Sequence, residues 1–171
     1  MDYRGTRKKV YLEQSKIAVV DSGRIKEEAK CFKAHEKLAD MLSGVIARMR
    51  CSEDDVKKKY ETVKNDKSMN KKQKEKTIEK ITSEWQTLVL QYKDEVQKIK
   101  EMDIKLSAKL QKVLLKVIEN ISKYLKIDIV QNSHLSGSIL VFYHSKNVDI
   151  TDIAIKEMDK IMPVVNLKEL E

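Results

Sequence analysis

IKEEAKCFKAHEKLADMLSGVIARMRCSEDDVKKKYETV, residues 25–63, is the stretch whose reading decides the fold. Counted in sevens from Ile25, position a holds Ile25, Phe32, Ala39, Ile46, Glu53 and Tyr60. Position d holds Glu28, His35, Leu42, Met49, Val56 and Val63. Nine of these twelve are apolar, the pattern of a helix that buries one stripe against another helix. The pattern lapses at 65–70, NDKSMN, which is polar and turn-forming. A second series then places Ile78, Trp85, Tyr92, Ile99 and Leu106 at a, with Ile81, Leu88, Glu95 and Met102 at d, and eight of these nine are apolar. Two helices of similar length joined by a short polar loop fold back as an antiparallel hairpin, because each stripe needs a partner and the nearest is its neighbour. Forty residues of helix make an arm about 60 Å long. Trp85 and Tyr92 are expected to pack across that hairpin. Gly44 in mid-helix costs roughly 1 kcal/mol relative to alanine, and beside Ser43 it makes a place where a helix can bend. Ser43 and Gly44 therefore mark the expected hinge.

On the N-terminal side, KIAVVD at 16–21 is a short β-branched run that reads as a strand ending at a turn, Ser22-Gly23. On the C-terminal side the apolar stripe steps by four after Leu106, to Leu110, Val113, Val117, Ile121 and Tyr124. Such a stutter rotates the apolar face away from the hairpin seam. Two β-type runs follow, IDIVQNS at 127–133 and ILVFYHS at 139–145, separated by HLSGS, whose Gly137 suits a hairpin turn. NVDITDIAIKEMDKIMP reads as a closing helix with Asp149 as N-cap, stopped by Pro163. The fold class is thus α+β, a long antiparallel helical hairpin projecting from a small β body. Residues 1–15 form a basic N-terminal arm, expected to be flexible. Residues 16–22 and 107–163 make the body, 23–106 the hairpin with its tip near 65–70, and 164–171 a C-terminal tail. Short strands with open edges and a small core need self-association to be stable. The strand residues Ile17, Val19, Ile127, Ile129, Leu140 and Phe142 are the expected oligomerisation surface.

Composition agrees with this reading. Only one proline occurs in 171 residues, and aromatic residues make up 5%, so long helices are permitted and bulk for a globular core is scarce. A 41% hydrophobic content is too high for a disordered polyelectrolyte. No apolar run approaches the ~18–20 residues that span a bilayer, and residues 1–16 lack the apolar core of a signal peptide. The net charge of +8 is concentrated: Lys57, Lys58, Lys59, Lys64, Lys67, Lys71, Lys72, Lys74, Lys76 and Lys80 face only four acidic residues over the same span. A basic tip attracts anionic surfaces, whether acidic protein segments or lipid head groups. Specific nucleic-acid binding is disfavoured, since no arginine occurs after Arg50 and aromatics do not interleave the lysines.

Catalytic motifs are missing. The sequence has no phosphate-binding glycine loop, nucleophile elbow or Cys-x-x-Cys pair. Cys31 and His35 are spaced for one helix face and could share a metal, but no further ligand lies nearby in sequence. Cys31 and Cys51, if on one helix, are about 30 Å apart and cannot form a disulfide. The expectation is a protein without enzymatic activity, metal or cofactor.

KIAVVDSGRI, the charged hairpin, and LKIDIVQNS followed by NVDITDIAIKEMDKI resemble, in that order, the Skp (OmpH-like) family of periplasmic chaperones. The resemblance runs from Lys16 to Met162, with Lys16–Val20, Ile127–Val130 and Asp149–Thr151 carrying it. It implies a homotrimer with a small β-barrel body and three helical tentacles enclosing a cavity. It further implies an ATP-independent holdase for unfolded outer-membrane proteins in the periplasm, with an anionic lipid surface as a further partner of the basic tips. The family's lipopolysaccharide motif is not carried over, because Lys98, Lys100 and Lys105 have no accompanying arginine. Two other readings compete: a structural coiled-coil scaffold for a folded partner, and a cytosolic prefoldin-like chaperone. The second is opposed by element order, since here the helices are central and the strands flank them.

Overall fold

The computed structural model describes residues 15–135, 138–139 and 146–170. Its elements are β1 (Ile17–Val20), α1 (Ser22–Glu28), α2 (Lys33–Asn65), α3 (Lys71–Leu125), β2 (Ile129–Asn132), β3 (His134–Leu135), β4 (Ser138–Ile139) and α4 (Thr151–Ile161). Three short 3₁₀ turns cover Lys30–Phe32, Lys146–Val148 and Leu167–Leu170. This is the α+β fold expected, dominated by two long helices with a small sheet. The described residues form two compact units, one drawn from within 1–30 and 111–163, the other from within 31–110 and 164–171.

In the first unit β1 and β2 pair in parallel, with Ile17 opposite Ile129 and Val20 opposite Asn132. Parallel neighbours require a long crossover, and α1, α2 and α3 all lie between these two strands in sequence. Ala18, Val19 and Val20 are buried, together with Ile25, Val117, Ile121, Ile150, Ala154 and Met158. Beside this ladder, Val19 makes a parallel bridge to Asp149, and the Ile150 amide donates to the Val19 carbonyl at 2.9 Å. β3 and β4 form a second, antiparallel pair, His134 opposite Ile139 and Leu135 opposite Ser138. The expected strand over 139–145, including Leu140 and Phe142, otherwise lies outside the described residues.

Two local expectations are corrected here. Ser22 and Gly23 do not form a turn but open α1, because Asp21 caps it: its Oδ1 accepts from the Gly23 and Arg24 amides at 2.9 and 3.1 Å. Asp149 is not the N-cap of α4. That position is Ile150, and Asp149 sits one residue earlier, accepting from the Thr151 amide through Oδ1 at 2.9 Å. Thr151 Oγ1 in turn accepts from the Asp21 amide at 2.9 Å, so the starts of α1 and α4 are tied to each other.

The second unit is an antiparallel helical hairpin. His35 meets Asp103, Arg48 meets Glu95, Ser52 meets Tyr92, and the Lys64 carbonyl meets Lys74; numbers rise on one helix as they fall on the other. The α3 stripe lies where the heptads put it: Ile81, Ile99, Met102 and Leu106 are buried, and Ile78, Trp85, Leu88, Tyr92 and Glu95 half-buried. The α2 stripe is rotated from expectation. Leu38 and Val45 are buried and Leu42, Met49 and Val56 half-buried, whereas Ala39, Ile46 and Tyr60 are exposed. The reason is a break in the helix. Ala29 ends α1 in an extended conformation, and Asp159 Oδ1 accepts from the Lys30 amide at 2.8 Å. Cys31 is then buried within a 3₁₀ turn before α2 begins, so a count from Ile25 loses its phase. Cys31 and Cys51 are accordingly not on one helix.

After Leu106 the buried or half-buried positions on α3 run through Leu110, Val113, Val117 and Ile121, as the stutter predicts. Tyr124 departs from that series and is 86% exposed. The helix ends one residue later and Leu125 is the half-buried side chain there.

Candidate binding surface

The hairpin turn is built by its own polar side chains. Asp66 Oδ1 accepts from the Ser68 amide at 2.8 Å and the Ser68 hydroxyl at 2.6 Å. These two bonds hold the Asp66 carboxyl below its usual range, the hydroxyl contributing most, with Lys74 adding to the effect. Asn70 and Gln73 then form a reciprocal cap: the Gln73 amide donates to Asn70 Oδ1 at 2.9 Å, and the Asn70 amide to Gln73 Oε1 at 3.0 Å. Lys74 Nζ donates to the Lys64 carbonyl at 2.9 Å, satisfying the end of α2.

Around this turn stand the ten lysines of the expected basic tip. Lys57, Lys58, Lys59 and Lys64 lie on α2, Lys67 in the loop, and Lys71, Lys72, Lys74, Lys76 and Lys80 on the first three turns of α3. All but Lys74 are exposed. Lys57 is paired with Glu53 at 2.8 Å, which raises its pKa; Lys71 and Lys80 reach Glu75 and Glu84 at 4.0 and 3.9 Å. Lys58, Lys59, Lys67, Lys72 and Lys76 have no carboxylate within 4 Å among the described residues, so their field extends into solvent.

A groove lies farther along the same hairpin. It has a volume of about 650 Å³ and is lined by Met41, Val45, Ile99 and Met102, with Arg48, Glu95, Lys98, Glu101 and Lys105 at its polar margin and Leu170 also contributing. Arg48 and Glu95 pair at 2.6 Å. The heptads located Ile99 and Met102 but not the groove, which needs Leu170 from a segment read as a tail. The signal present was Val165 and Leu170 flanking an Asn166 turn.

The expected hinge residues sit in α2, which continues as one helix through Ser43 and Gly44. A Cβ built on Gly44 would meet only Arg48 Nη1, at 3.8 Å. Of the expected self-association residues, Ile17 and Ile129 face one another across the β1–β2 ladder and are 44% and 46% exposed. Val19 is buried and Ile127 half-buried, while Leu140 and Phe142 are outside the described residues. His35 is bound to Asp103 at 2.7 Å and stacks on Phe32, and Cys31 is buried. No group of three or more His, Cys, Asp or Glu side chains that could hold a metal ion occurs among the described residues. No described helix is long and apolar enough to cross a membrane.

The family model described as outer membrane protein (OmpH-like) matches residues 16–158. The chain belongs to the OmpH-like family. A solved structure of a candidate outer membrane chaperone (OmpH-like) from Caulobacter crescentus superimposes with a TM-score of 0.68 at 13% identity, covering 89% of this chain and 88% of that one. No curated protein sequence matches the chain. The OmpH-like match begins one residue before β1 and ends within α4. Membership supports a chaperone role.

Proposed function

We propose that this OmpH-like chain is an ATP-independent holdase that binds unfolded outer-membrane proteins in the periplasm and works as a homotrimer. The observation that carries the reading is the family match across β1, both long helices, β2 and most of α4. Two features of the structure support it. Exposed Ile17 and Ile129 form an apolar pair on the small sheet, and covering it with further copies removes about 1 kcal/mol of exposed apolar surface per half-exposed isoleucine. The lysine tip, with nine exposed ammonium groups, attracts acidic client segments and anionic lipid surfaces. Ser43 and Gly44 give α2 a point of low helix propensity at which the arm adjusts to clients of different size.

The test joins two measurements on the purified chain: molar mass by light scattering at micromolar concentration, and suppression of aggregation when a urea-unfolded β-barrel membrane protein is diluted into buffer without nucleotide. A trimer that keeps the client soluble is expected. A monomer that leaves the client aggregating would refute the proposal.

A further inference from the structure

The first compact unit has a groove of its own, between the end of α3 and α4, with a volume of about 280 Å³. Val117, Tyr124 and Leu125 line it from α3, and Ile153, Glu157 and Ile161 from α4. The three α4 residues are spaced four apart and so share one face of that helix, while Ala154 and Met158 carry its buried face. Val117 is buried at the groove, whereas Tyr124, Ile161 and Ile153 are 86%, 52% and 43% exposed. The groove falls below the ~300–1,000 Å³ of small-molecule sites, a size suited to the side chains of a short peptide segment.

The chain supplies such a segment at the edge of this groove. Lys16 is fastened there: its Nζ donates to the carbonyl of Leu125, a lining residue, and its amide to Asp128 Oδ2, both at 2.7 Å. Ser15, the first described residue, therefore stands within one lysine side chain of the groove. The preceding residues 1–14, MDYRGTRKKVYLEQ, lie outside the described residues and contain one apolar run, Val10-Tyr11-Leu12. That run ends three residues before Ser15 and starts five before it, a reach of about 10–18 Å for extended chain. A tether this short holds the run at a millimolar effective concentration, so even a groove of millimolar affinity is filled much of the time. Lys8 and Lys9 precede the run, and the charged side chain of the lining is a carboxylate, Glu157, which also pairs with Lys160 at 2.5 Å.

We propose that the N-terminal arm docks on its own chain, with Val10-Tyr11-Leu12 seated in the groove between α3 and α4 and covering Tyr124, Ile153 and Ile161. The arm is then a built-in cover for an apolar surface that unfolded chains or other copies would otherwise meet. The inference does not depend on the chaperone reading. Limited trypsin digestion of the full, folded chain tests it, with cleavage after Lys8 and Lys9 measured by mass spectrometry relative to cleavage after Lys67 in the polar turn. A docked arm is cut only while it is undocked, so an effective concentration about three times the dissociation constant of the groove slows cleavage about fourfold. Ile153→Asp and Ile161→Asp put a carboxylate into the groove and leave the cleaved sequence untouched; each should raise the relative rate about three- to fourfold, while Ile161→Leu keeps the wild-type rate. A peptide of residues 10–15, which holds no trypsin site, should at millimolar concentration accelerate cleavage of the wild type and not of the aspartate variants. Equal rates in wild type and both aspartate variants overturn the inference. If an aspartate variant loses its helical circular dichroism, the peptide decides on the wild type, and no acceleration overturns it. Protection that fades on dilution places the arm on another copy, and a changed light-scattering mass of the aspartate variants with unaltered cleavage assigns the groove to a second copy; either overturns docking in cis.

Discussion

Replacing Lys126 by glycine should stabilise the protein. Lys126 has φ 54°, the left-handed region in which an L side chain is strained and glycine is not. It sits at the end of α3, where the Ile127 amide donates to the Ser122 carbonyl at 2.8 Å, the bond that defines a Schellman ending with Lys126 in the position usually given to glycine. The turn is over-determined from outside the helix. Lys16 Nζ donates to the Leu125 carbonyl at 2.7 Å, the Lys16 amide to Asp128 Oδ2 at 2.7 Å, and the Asp128 amide to the Lys16 carbonyl at 2.8 Å. Those bonds set where β2 enters its ladder with β1, so the backbone keeps its conformation whichever residue stands at 126.

The left-handed conformation costs a non-glycine residue about 1–2 kcal/mol, and glycine gives back about 0.5–1 kcal/mol through the greater freedom of its unfolded chain. The balance favours Lys126→Gly by about 0.5–1 kcal/mol, a rise of roughly 1–4 °C in Tm for a chain of this length. Lys126→Ala is the control, since it removes the same exposed ammonium without relieving strain and should be neutral within about 0.5 kcal/mol. Urea and thermal unfolding followed by circular dichroism at 222 nm, at one fixed protein concentration because assembly shifts apparent stability, compare the three. Glycine no more stable than alanine would refute the reasoning, because the left-handed strain would then not be present in solution.

Leu106 is fully buried in the hairpin and Ile104, two residues away on the same helix, is 69% exposed; Leu106→Ala should cost about 3–5 kcal/mol and Ile104→Ala under about 0.5 kcal/mol, read as a difference in urea midpoint. Gly44→Ala has room for its methyl group and should stabilise α2 by about 1 kcal/mol; if Gly44 is a working hinge, client affinity falls in the same variant as stability rises. Asp66 has a folded-state pKa below its unfolded value, so its contribution is present above the usual aspartate range and is lost as pH falls through the lowered folded value. Loss of protection of the Ser68 amide, its exchange rate taken relative to the intrinsic rate at each pH, on acidification below about pH 4, constant between pH 5 and 8 and missing in Asp66→Ala, is the expected signature.

The sequence reading succeeded where structure is set by neighbours on one helix and slipped where distant residues intervene. On α3, 55 residues without interruption, the heptad count placed Ile81, Ile99, Met102 and Leu106 inward correctly. On α2 the same count put Ile46 inward, although Val45 is the buried residue. Nothing between Glu28 and Lys33 resembles a helix breaker; the break depends on Asp159, 129 positions away, taking the Lys30 amide. The strands were visible as β-branched runs, but the parallel partnership of β1 with β2 has no local signature because its hydrogen bonds join residues more than a hundred positions apart. Residues 164–170 read as a tail for the same reason: what orders them is Lys105 and Lys109, side chains that a solvated lysine face also explains.

The hairpin therefore carries two different surfaces, and salt should separate them. The nearest points of the lysine tip and the groove along α3 are Lys80 and Glu95, fifteen residues or about 22 Å of helix apart. That exceeds the screening length of about 8 Å at physiological ionic strength, so the tip's field is weak at the groove. Attraction to an anionic surface through exposed ammonium groups falls steeply with added salt, whereas burial of an apolar segment does not, and sulfate strengthens it. Raising sodium chloride from 50 to about 500 mM, where the screening length drops from about 14 to 4 Å, should release the protein from phosphatidylglycerol vesicles and leave its bis-ANS fluorescence in the absence of vesicles within about a factor of two of the low-salt value. Replacing Lys58, Lys59, Lys72 and Lys76 by glutamate should abolish the first effect and spare the second. If salt or the tip substitutions reduce both together, the two surfaces are one electrostatic site and the division of the hairpin into a charged tip and an apolar groove is wrong.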